Sequence, residues 1–108
     1  FQYSTVYREL PENFMNRVIA ESLKLPAHVW REVMKGMMDS DSKDELHKIT
    51  APTLIMWGEK EAYFLFDEQE ALLSAIPNSV LNTYPQVGHN PHWENPEQFV
   101  KDLERFMK

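Results

Sequence analysis

Two short stretches in the second half of the chain contain the residues best suited to chemistry. The first, 52–64, is an apolar segment followed by Gly-Glu-Lys-Glu, which ends at Glu61. The second, 84–99, places Gly88-His89 in a proline-rich loop. Histidine titrates near neutral pH, and a carboxylate can orient its ring and stabilise its charged form. The two stretches are therefore candidates for general acid–base chemistry.

No serine in the chain has the setting of an activated nucleophile. A catalytic serine of the strained-turn type needs small neighbours, usually glycine, so that its hydroxyl is exposed. The chain has 3 glycines, at positions 36, 58 and 88, and none of them flanks a serine. A glycine-rich loop that would donate hydrogen bonds to an oxyanion is also missing. We therefore expect the chain alone to be inactive in acyl transfer.

A metal-binding interpretation of the histidine loop is weaker than a structural one. His92 follows His89 by three residues, but both stand in a loop between prolines. The best remaining ligand nearby is Glu94, whereas a zinc site normally has three or four protein ligands. We predict no metal and no cofactor, and a structural or surface role for His92.

Composition limits the range of functions. The chain has 108 residues, of which 43% are hydrophobic, and a formal net charge of −6. These values predict a globular chain and no nucleic-acid partner, because no basic run is present to replace phosphate counterions. No apolar stretch approaches the roughly 18 residues that span a bilayer, so we expect no membrane partner. The absence of cysteine is consistent with a cytoplasmic location, which we predict.

The first 48 residues have the periodicity of two amphipathic helices. One begins at Pro11-Glu12, and the other begins with Pro26 in its first turn. We expect them to pack as a hairpin, followed by a polar surface loop at 39–44. The apolar positions are Phe14, Val18, Ile19 and Leu23 in the first helix, and Val29, Trp30, Val33, Met34 and Met37 in the second.

From residue 49 onward, the pattern alternates between strands and helices. We predict strands at 53–57 and 80–84, with a helix between them that is capped by Asp67 and Glu70 and ends at Ala75. A loop at 85–93 follows the second strand. The last helix begins at Pro96 and has one apolar side, formed by Phe99, Leu103, Phe106 and Met107. The fold class is α/β, with a βαβα unit and a parallel strand pair. Two parallel strands form an incomplete sheet, because such sheets normally have neighbours on both sides. Either the chain is a fragment of a longer protein, which we favour, or its open edge pairs with another copy or polypeptide.

The combination of short motifs resembles the C-terminal half of an α/β-hydrolase, over nearly the whole chain. The motifs are I-x-A-P-T-L-I-x-W-G-E-K at 49–60, I-P-N at 76–78, G-H at 88–89 and E-x-P-E-x-F at 94–99. The resemblance implies a partial α/β-hydrolase fold, in which residues 1–48 form a segment of two cap helices. Residues 49–108 would then be the C-terminal part of the core.

The resemblance also implies a catalytic acid and a catalytic histidine, in the chain order of the family. They correspond to Glu61 and His89, although aspartate is more common at the acid position. Two other interpretations stay open: Glu61 can be a solvated loop charge beside Lys60, and His89 a loop histidine held by backbone partners. If Glu61 does not reach His89, the acid must come from outside this chain.

For substrate, the resemblance implies a pocket roofed by the cap helices. Met34 and Met37 would form an adaptable apolar lid, and Phe64 would line the pocket. We expect a small-molecule substrate, namely a small and fairly apolar ester or lactone. The expected partner is the N-terminal half of the hydrolase core, or a second copy covering the open sheet edge. The alternative is a non-catalytic, truncated or self-associating domain that keeps the hydrolase architecture.

Overall fold

The computed structural model describes all residues from Phe1 to Lys108. Its helices are α1 (Glu12–Ser22), α2 (Ala27–Asp39), α3 (Phe66–Ala75), α4 (Pro91–Glu94) and α5 (Pro96–Met107), and its strands are β1 (Thr53–Gly58) and β2 (Ser79–Tyr84). Two short 3-10 helices lie at Gln2–Thr5 and Lys43–Lys48. The predicted order, two helices followed by a βαβα unit, is confirmed. The four-residue helix α4 forms inside the segment expected to be a loop.

The strands β1 and β2 form a two-stranded parallel sheet. Thr53 pairs with Ser79 at one end of the ladder, and Gly58 pairs with Tyr84 at the other. The connection between them contains α3, as a parallel pair requires. No third strand is present, so both outer edges of the sheet are unpaired. Residues 53–57 of β1 are only partly buried, because the chain covers one strand flank and not the other.

The apolar core is small and is formed by residues of α1, the end of α3, the end of β2 and the loop after β2. Met15, Ile76, Tyr84 and Val87 are its buried hydrophobic residues. In α1 the buried position is Met15, which the sequence analysis did not include, whereas the predicted Leu23 is 77% exposed. Met15, Val18 and Ile19 share one face, and the neighbouring Phe14 packs edge-on against Trp93.

Helix α2 buries none of its residues. It is attached to α1 near the turn, where the indole N–H of Trp30 donates to the carbonyl of Ser22 at 3.0 Å. The two helices therefore follow each other as the predicted hairpin requires, but they share little packed surface. Pro26 stands one residue before α2, as its N-cap, instead of in its first turn. The apolar face of α2 is left exposed at Trp30, Val33, Met34, Met37 and Met38.

The start of α3 differs from the predicted cap. The helix begins at Phe66, and its N-cap residue is Leu65 instead of Asp67. The carboxylate of Glu68 accepts the backbone N–H of Leu65 at 2.7 Å, which is the role predicted for Glu70. Because Glu68 is three residues beyond Leu65, it is the carboxylate within reach of that orphan N–H group.

Helix α5 is anchored under the sheet by a buried polar contact. The hydroxyl of Tyr84, at the end of β2, donates to Asp102 Oδ2 at 2.8 Å. Asp102 also accepts a hydrogen bond from Gln98 at 2.9 Å. Burial, reinforced by the hydrogen bond to Asp102, raises the pKa of Tyr84. This contact fixes the direction in which the chain leaves the loop that contains His89.

Candidate active site

The candidate site lies at the carboxyl ends of the two strands. Gly58 and Tyr84 are paired at the end of the parallel ladder, so the loops that follow them leave the sheet at the same edge. The loop after β1 turns at once, with the N–H of Glu61 donating to the Gly58 carbonyl at 3.0 Å. The loop after β2 reaches His89 five residues beyond Tyr84. Parallel topology is therefore what brings the carboxylate and the imidazole together.

Glu61 and His89 are in direct hydrogen-bond contact, through Glu61 Oε2 and His89 Nδ1. The Glu61 side chain is 5% exposed and that of His89 is 39% exposed. The second carboxylate oxygen, Oε1, accepts the backbone N–H of Tyr63 at 2.8 Å. One oxygen thus holds the ring while the other is fixed by the loop, so the glutamate at this position does reach the histidine.

Aromatic side chains surround the His89 ring. Phe64 stacks on it, with ring centroids 5.8 Å apart and an interplanar angle of 26°. Tyr63 approaches edge-on, at 6.0 Å and 78°. The imidazole Nε2 has no hydrogen-bond partner within the chain. The ring is therefore oriented through Nδ1 and its faces, with Nε2 left available to another group.

The pair opens into a cleft of about 610 Å³ between the end of β1, α3 and the 3-10 helix at Lys43–Lys48. Seven of its 13 lining residues are hydrophobic, and Glu61, Phe64 and His89 are among the 13. Lys43 is the one cationic side chain other than histidine in the lining, and it is ion-paired with Asp41 at 3.2 Å. The cleft is thus apolar with a negative electrostatic bias.

The two methionines chosen from sequence lie elsewhere. Met34 lines a second, strongly apolar cavity of about 470 Å³ together with Phe1 and Trp30. Met37 is 57% exposed and lines neither cavity. The ring of Phe1 lies 6.1 Å from that of Tyr63, which in turn faces His89. Of the three residues expected to bind substrate, the structure brings Phe64 to the histidine and places Met34 in the neighbouring cavity.

His92 is packed among aromatic rings instead of facing His89. Its ring centroid lies 5.2 Å from that of Trp93 and 5.8 Å from that of Phe99. Burial lowers the pKa of His92, and the nearby charge of His89 lowers it further. No three histidine or carboxylate side chains converge as potential metal ligands.

Sequence reasoning missed a buried polar cluster behind the histidine loop. Thr5, Asn90 and Glu94 are all buried. Glu94 accepts the N–H groups of Gly88 and Asn90, and Thr5 accepts the N–H of His89 and the side-chain amide of Asn90. From sequence, Glu94 was considered as a weak metal ligand and as the first residue of the motif at 94–99. No sequence signal could have found it, because the groups that Glu94 binds are backbone N–H groups of residues 7, 8, 88 and 90.

Comparisons with known proteins find hydrolases that are similar to parts of this chain. No protein-family model matches the chain. A 2-hydroxy-6-oxononadienedioate/2-hydroxy-6-oxononatrienedioate hydrolase of Pseudomonas putida is 41% identical over 68 residues, covering 63% of this chain and 24% of the relative. A hydrolase of the same name from Paraburkholderia phymatum is 25% identical over 107 residues, covering 99% of this chain and 37% of the relative.

A solved esterase shares the fold over almost the whole chain. The esterase of Exiguobacterium antarcticum superposes with a TM-score of 0.91 at 27% identity, covering 98% of this chain and 40% of the esterase. The chain thus carries part of the α/β-hydrolase fold, which confirms the resemblance drawn from its motifs. It spans between 24% and 40% of the length of these relatives. None of its helices combines the length and hydropathy that crossing a membrane requires.

Proposed function

We propose that this chain supplies the acid and the general base of a serine-type α/β-hydrolase. The observation that supports it is the contact between His89 Nδ1 and the buried Glu61 carboxylate. In such a pair the acid fixes the tautomer with the proton on Nδ1, so that Nε2 is basic. His89 Nε2 then takes the proton of a serine hydroxyl and returns it to the leaving group. Glu61 stabilises the imidazolium that forms between these steps.

The nucleophile in this proposal comes from outside the chain. No serine hydrogen-bonds the His89 imidazole, and the one nearest in the contact network, Ser4, reaches only the hydroxyl of Tyr63. We propose that an N-terminal portion of the hydrolase core pairs with the open edge of the sheet and presents the serine to Nε2. Residues 1–48 then serve as the cap segment and 49–108 as the C-terminal part of the core. We propose a cytoplasmic setting on the absence of cysteine alone.

The proposed substrate is a small, uncharged and fairly apolar ester or lactone. The relatives are named for two chemistries, an esterase and hydrolases of hydroxy-oxo-dienedioates, which are dicarboxylic acids. In this chain the cleft contains the carboxylates of Glu61 and Glu68, and its lysine is paired with Asp41. A dianion would gain little attraction there. Phe64 contacts the substrate in this proposal, with Met34 and Met37 provided by the cap.

A chimera tests the proposal. In it, this chain replaces the corresponding 40% of the Exiguobacterium antarcticum esterase, whose remaining part brings its own serine. We expect hydrolysis of an activated aryl ester that is lost in His89→Ala and kept in His92→Gln. Reaction with a fluorophosphonate reports whether the serine is presented in each variant. Ester turnover that survives His89→Ala would overturn the proposal, as would turnover by the isolated chain that depends on His89.

A non-catalytic, self-associating domain is the second candidate, because the chain leaves apolar surface and sheet edges uncovered. The exposed face of α2 and the unpaired edges of β1 and β2 are the surfaces that a second copy would cover. Solution sizing of the 108-residue chain separates the two candidates. A stable homodimer that does not label with a fluorophosphonate favours self-association. A monomer that binds a separately produced N-terminal core portion favours the hydrolase.

A further inference from the structure

We propose that Glu94 is a positioning residue that sets the backbone of the histidine loop, acting through a strap formed by residues 5–8. This inference rests on the proposed function only for the catalytic role of His89. The contacts themselves are independent of it. Glu94 is 5% exposed, yet no lysine, arginine or histidine forms an ion pair with its carboxylate.

The Glu94 carboxylate is stabilised by hydrogen bonds from backbone N–H groups of two separate segments. Oε1 accepts the N–H of Tyr7 at 2.7 Å, of Arg8 at 2.8 Å and of Gly88 at 3.0 Å. Oε2 accepts the N–H of Gly88 at 3.0 Å and of Asn90 at 3.3 Å. The residues immediately before and after His89 are therefore bound to the same carboxylate. Hydrogen bonds of this kind are stronger than neutral ones because the acceptor is charged.

The strap closes the same loop from the other side. The N–H of His89 itself donates to the carbonyl of Thr5 at 2.8 Å. The side-chain amide of Asn90 donates to Thr5 Oγ1 at 2.8 Å. Residues 88–90 are thus held by hydrogen bonds to two residues, Glu94 and Thr5, and Thr5 lies more than 80 positions earlier in the chain. The imidazole keeps its place beside Glu61 because its backbone has no freedom to rotate.

The glycine before the histidine is part of this arrangement. A β-carbon on Gly88 would stand 2.8 Å from the N atom of Tyr7 and 3.2 Å from Glu94 Oε2. Only a residue without a side chain lets the strap and the carboxylate approach the loop this closely. The Arg8 side chain adds two further hydrogen bonds, to the Gln86 carbonyl at 2.9 Å and to the Glu94 carbonyl at 3.1 Å.

The test observes the His89 ring in the 108-residue chain, without relying on turnover. In the wild type, nitrogen-15 NMR should show His89 as the Nδ1–H tautomer with a protected Nδ1 proton. We expect Glu94→Gln to lose that protection and to give a mixed tautomer, since an amide offers one acceptor oxygen and adds donors facing N–H groups. Glu97→Gln, an acidic position in the first turn of α5, is the matched control and should leave the signal unchanged.

A milder variant covers the case in which Glu94→Gln does not fold. Thr5→Val keeps the side-chain shape and removes the hydroxyl, which accepts from the Asn90 amide and donates to the Gln2 carbonyl. It should shift the amides of 88–90 and weaken Nδ1 protection. A wild-type tautomer and protection in every folded variant would overturn the inference. Failure of the proposed function is distinguishable: if Glu61→Gln leaves the Nδ1 signal unchanged, the acid–histidine pair is wrong, whatever Glu94 does to the amides.

Discussion

A β-carbon placed on Gly58 would lie 2.0 Å from the carbonyl oxygen of Gly88. The end of the strand that leads to Glu61 is therefore in direct backbone contact with the loop that carries His89. The carbonyl of Val87 is nearly as close, at 2.4 Å from the same position. This backbone contact and the hydrogen bond between Glu61 and His89 both keep the two candidate catalytic residues next to each other.

Gly58→Ala should destabilise the chain, because neither facing group is a flexible side chain that can move aside. We expect a loss of about 1–3 kcal/mol or more in the free energy of unfolding, the usual range for overpacking. Gly36→Ala is the matched control, since nothing lies within 4 Å of its β-carbon position in α2. It should stabilise by about 0.5–1 kcal/mol through helix propensity. Urea unfolding measures both, and equal stability of the two variants would contradict the contact.

Glu61→Gln should reduce kcat of the esterase chimera by about 10²–10⁴ with little change in KM. The amide carries no charge to fix the Nδ1–H tautomer or to stabilise the imidazolium. Steady-state kinetics on an aryl ester gives the result. Glu59→Gln changes an exposed carboxylate two residues away and should leave kcat within about twofold, the scale of a surface charge effect. Similar losses in both variants would argue for a general charge effect.

The buried hydroxyl of Tyr84 should make the chain sensitive to alkaline pH. Its pKa is raised in the folded state, by burial first and then by Asp102, so the unfolded chain ionises first, near pH 10. The contribution to stability is fully present below pH 10 and is lost as pH rises above it. Denaturant unfolding between pH 8 and about 11.5 should show this decline. Tyr84→Phe should remove the decline, whereas the exposed Tyr3→Phe should retain it.

His92 should contribute a loss of stability on the acid side. Burial and the charge of His89 lower its pKa, so the unfolded chain takes up the proton first as pH falls below about 6.5. The contribution of neutral His92 to the free energy of unfolding is present above that pH and is lost progressively below it. His92→Gln should flatten the pH dependence of the unfolding midpoint between pH 7 and 5. The exposed His28→Gln serves as control, and identical profiles for the two variants would contradict the assignment.

The element order was accessible from sequence because it depends on short local patterns, and the pairing of Glu61 with His89 was implied by the resemblance to the α/β-hydrolases. Prolines and apolar periodicity mark the helices, and parallel strands bring their following loops to one edge. The helix cap at Leu65 was missed because leucine has no capping side chain and the interaction uses a downstream glutamate. The two cavities were also inaccessible, since the position of Met34 depends on how α2 leaves α1.

The contacts of Glu94 were the least predictable part of the site. Their donors are backbone N–H groups, which every residue except proline carries, so the sequence has no complementary side chain to reveal them. Only the fold determines that Tyr7 and Gly88 meet at one carboxylate. Burial without a cationic partner is the structural sign of such a site, and it appears only when the chain is folded.

The 87-residue separation between Tyr7 and Glu94 also sets a time order for synthesis of the chain. At about 5–20 residues per second, a ribosome needs about 4–17 s to advance from one to the other. During that interval the strap has no acceptor, although α1 and β1 are both synthesised within it. The segment that seats the histidine is thus completed only after Glu94 has been added, and the candidate catalytic end of the nascent chain stays open until then.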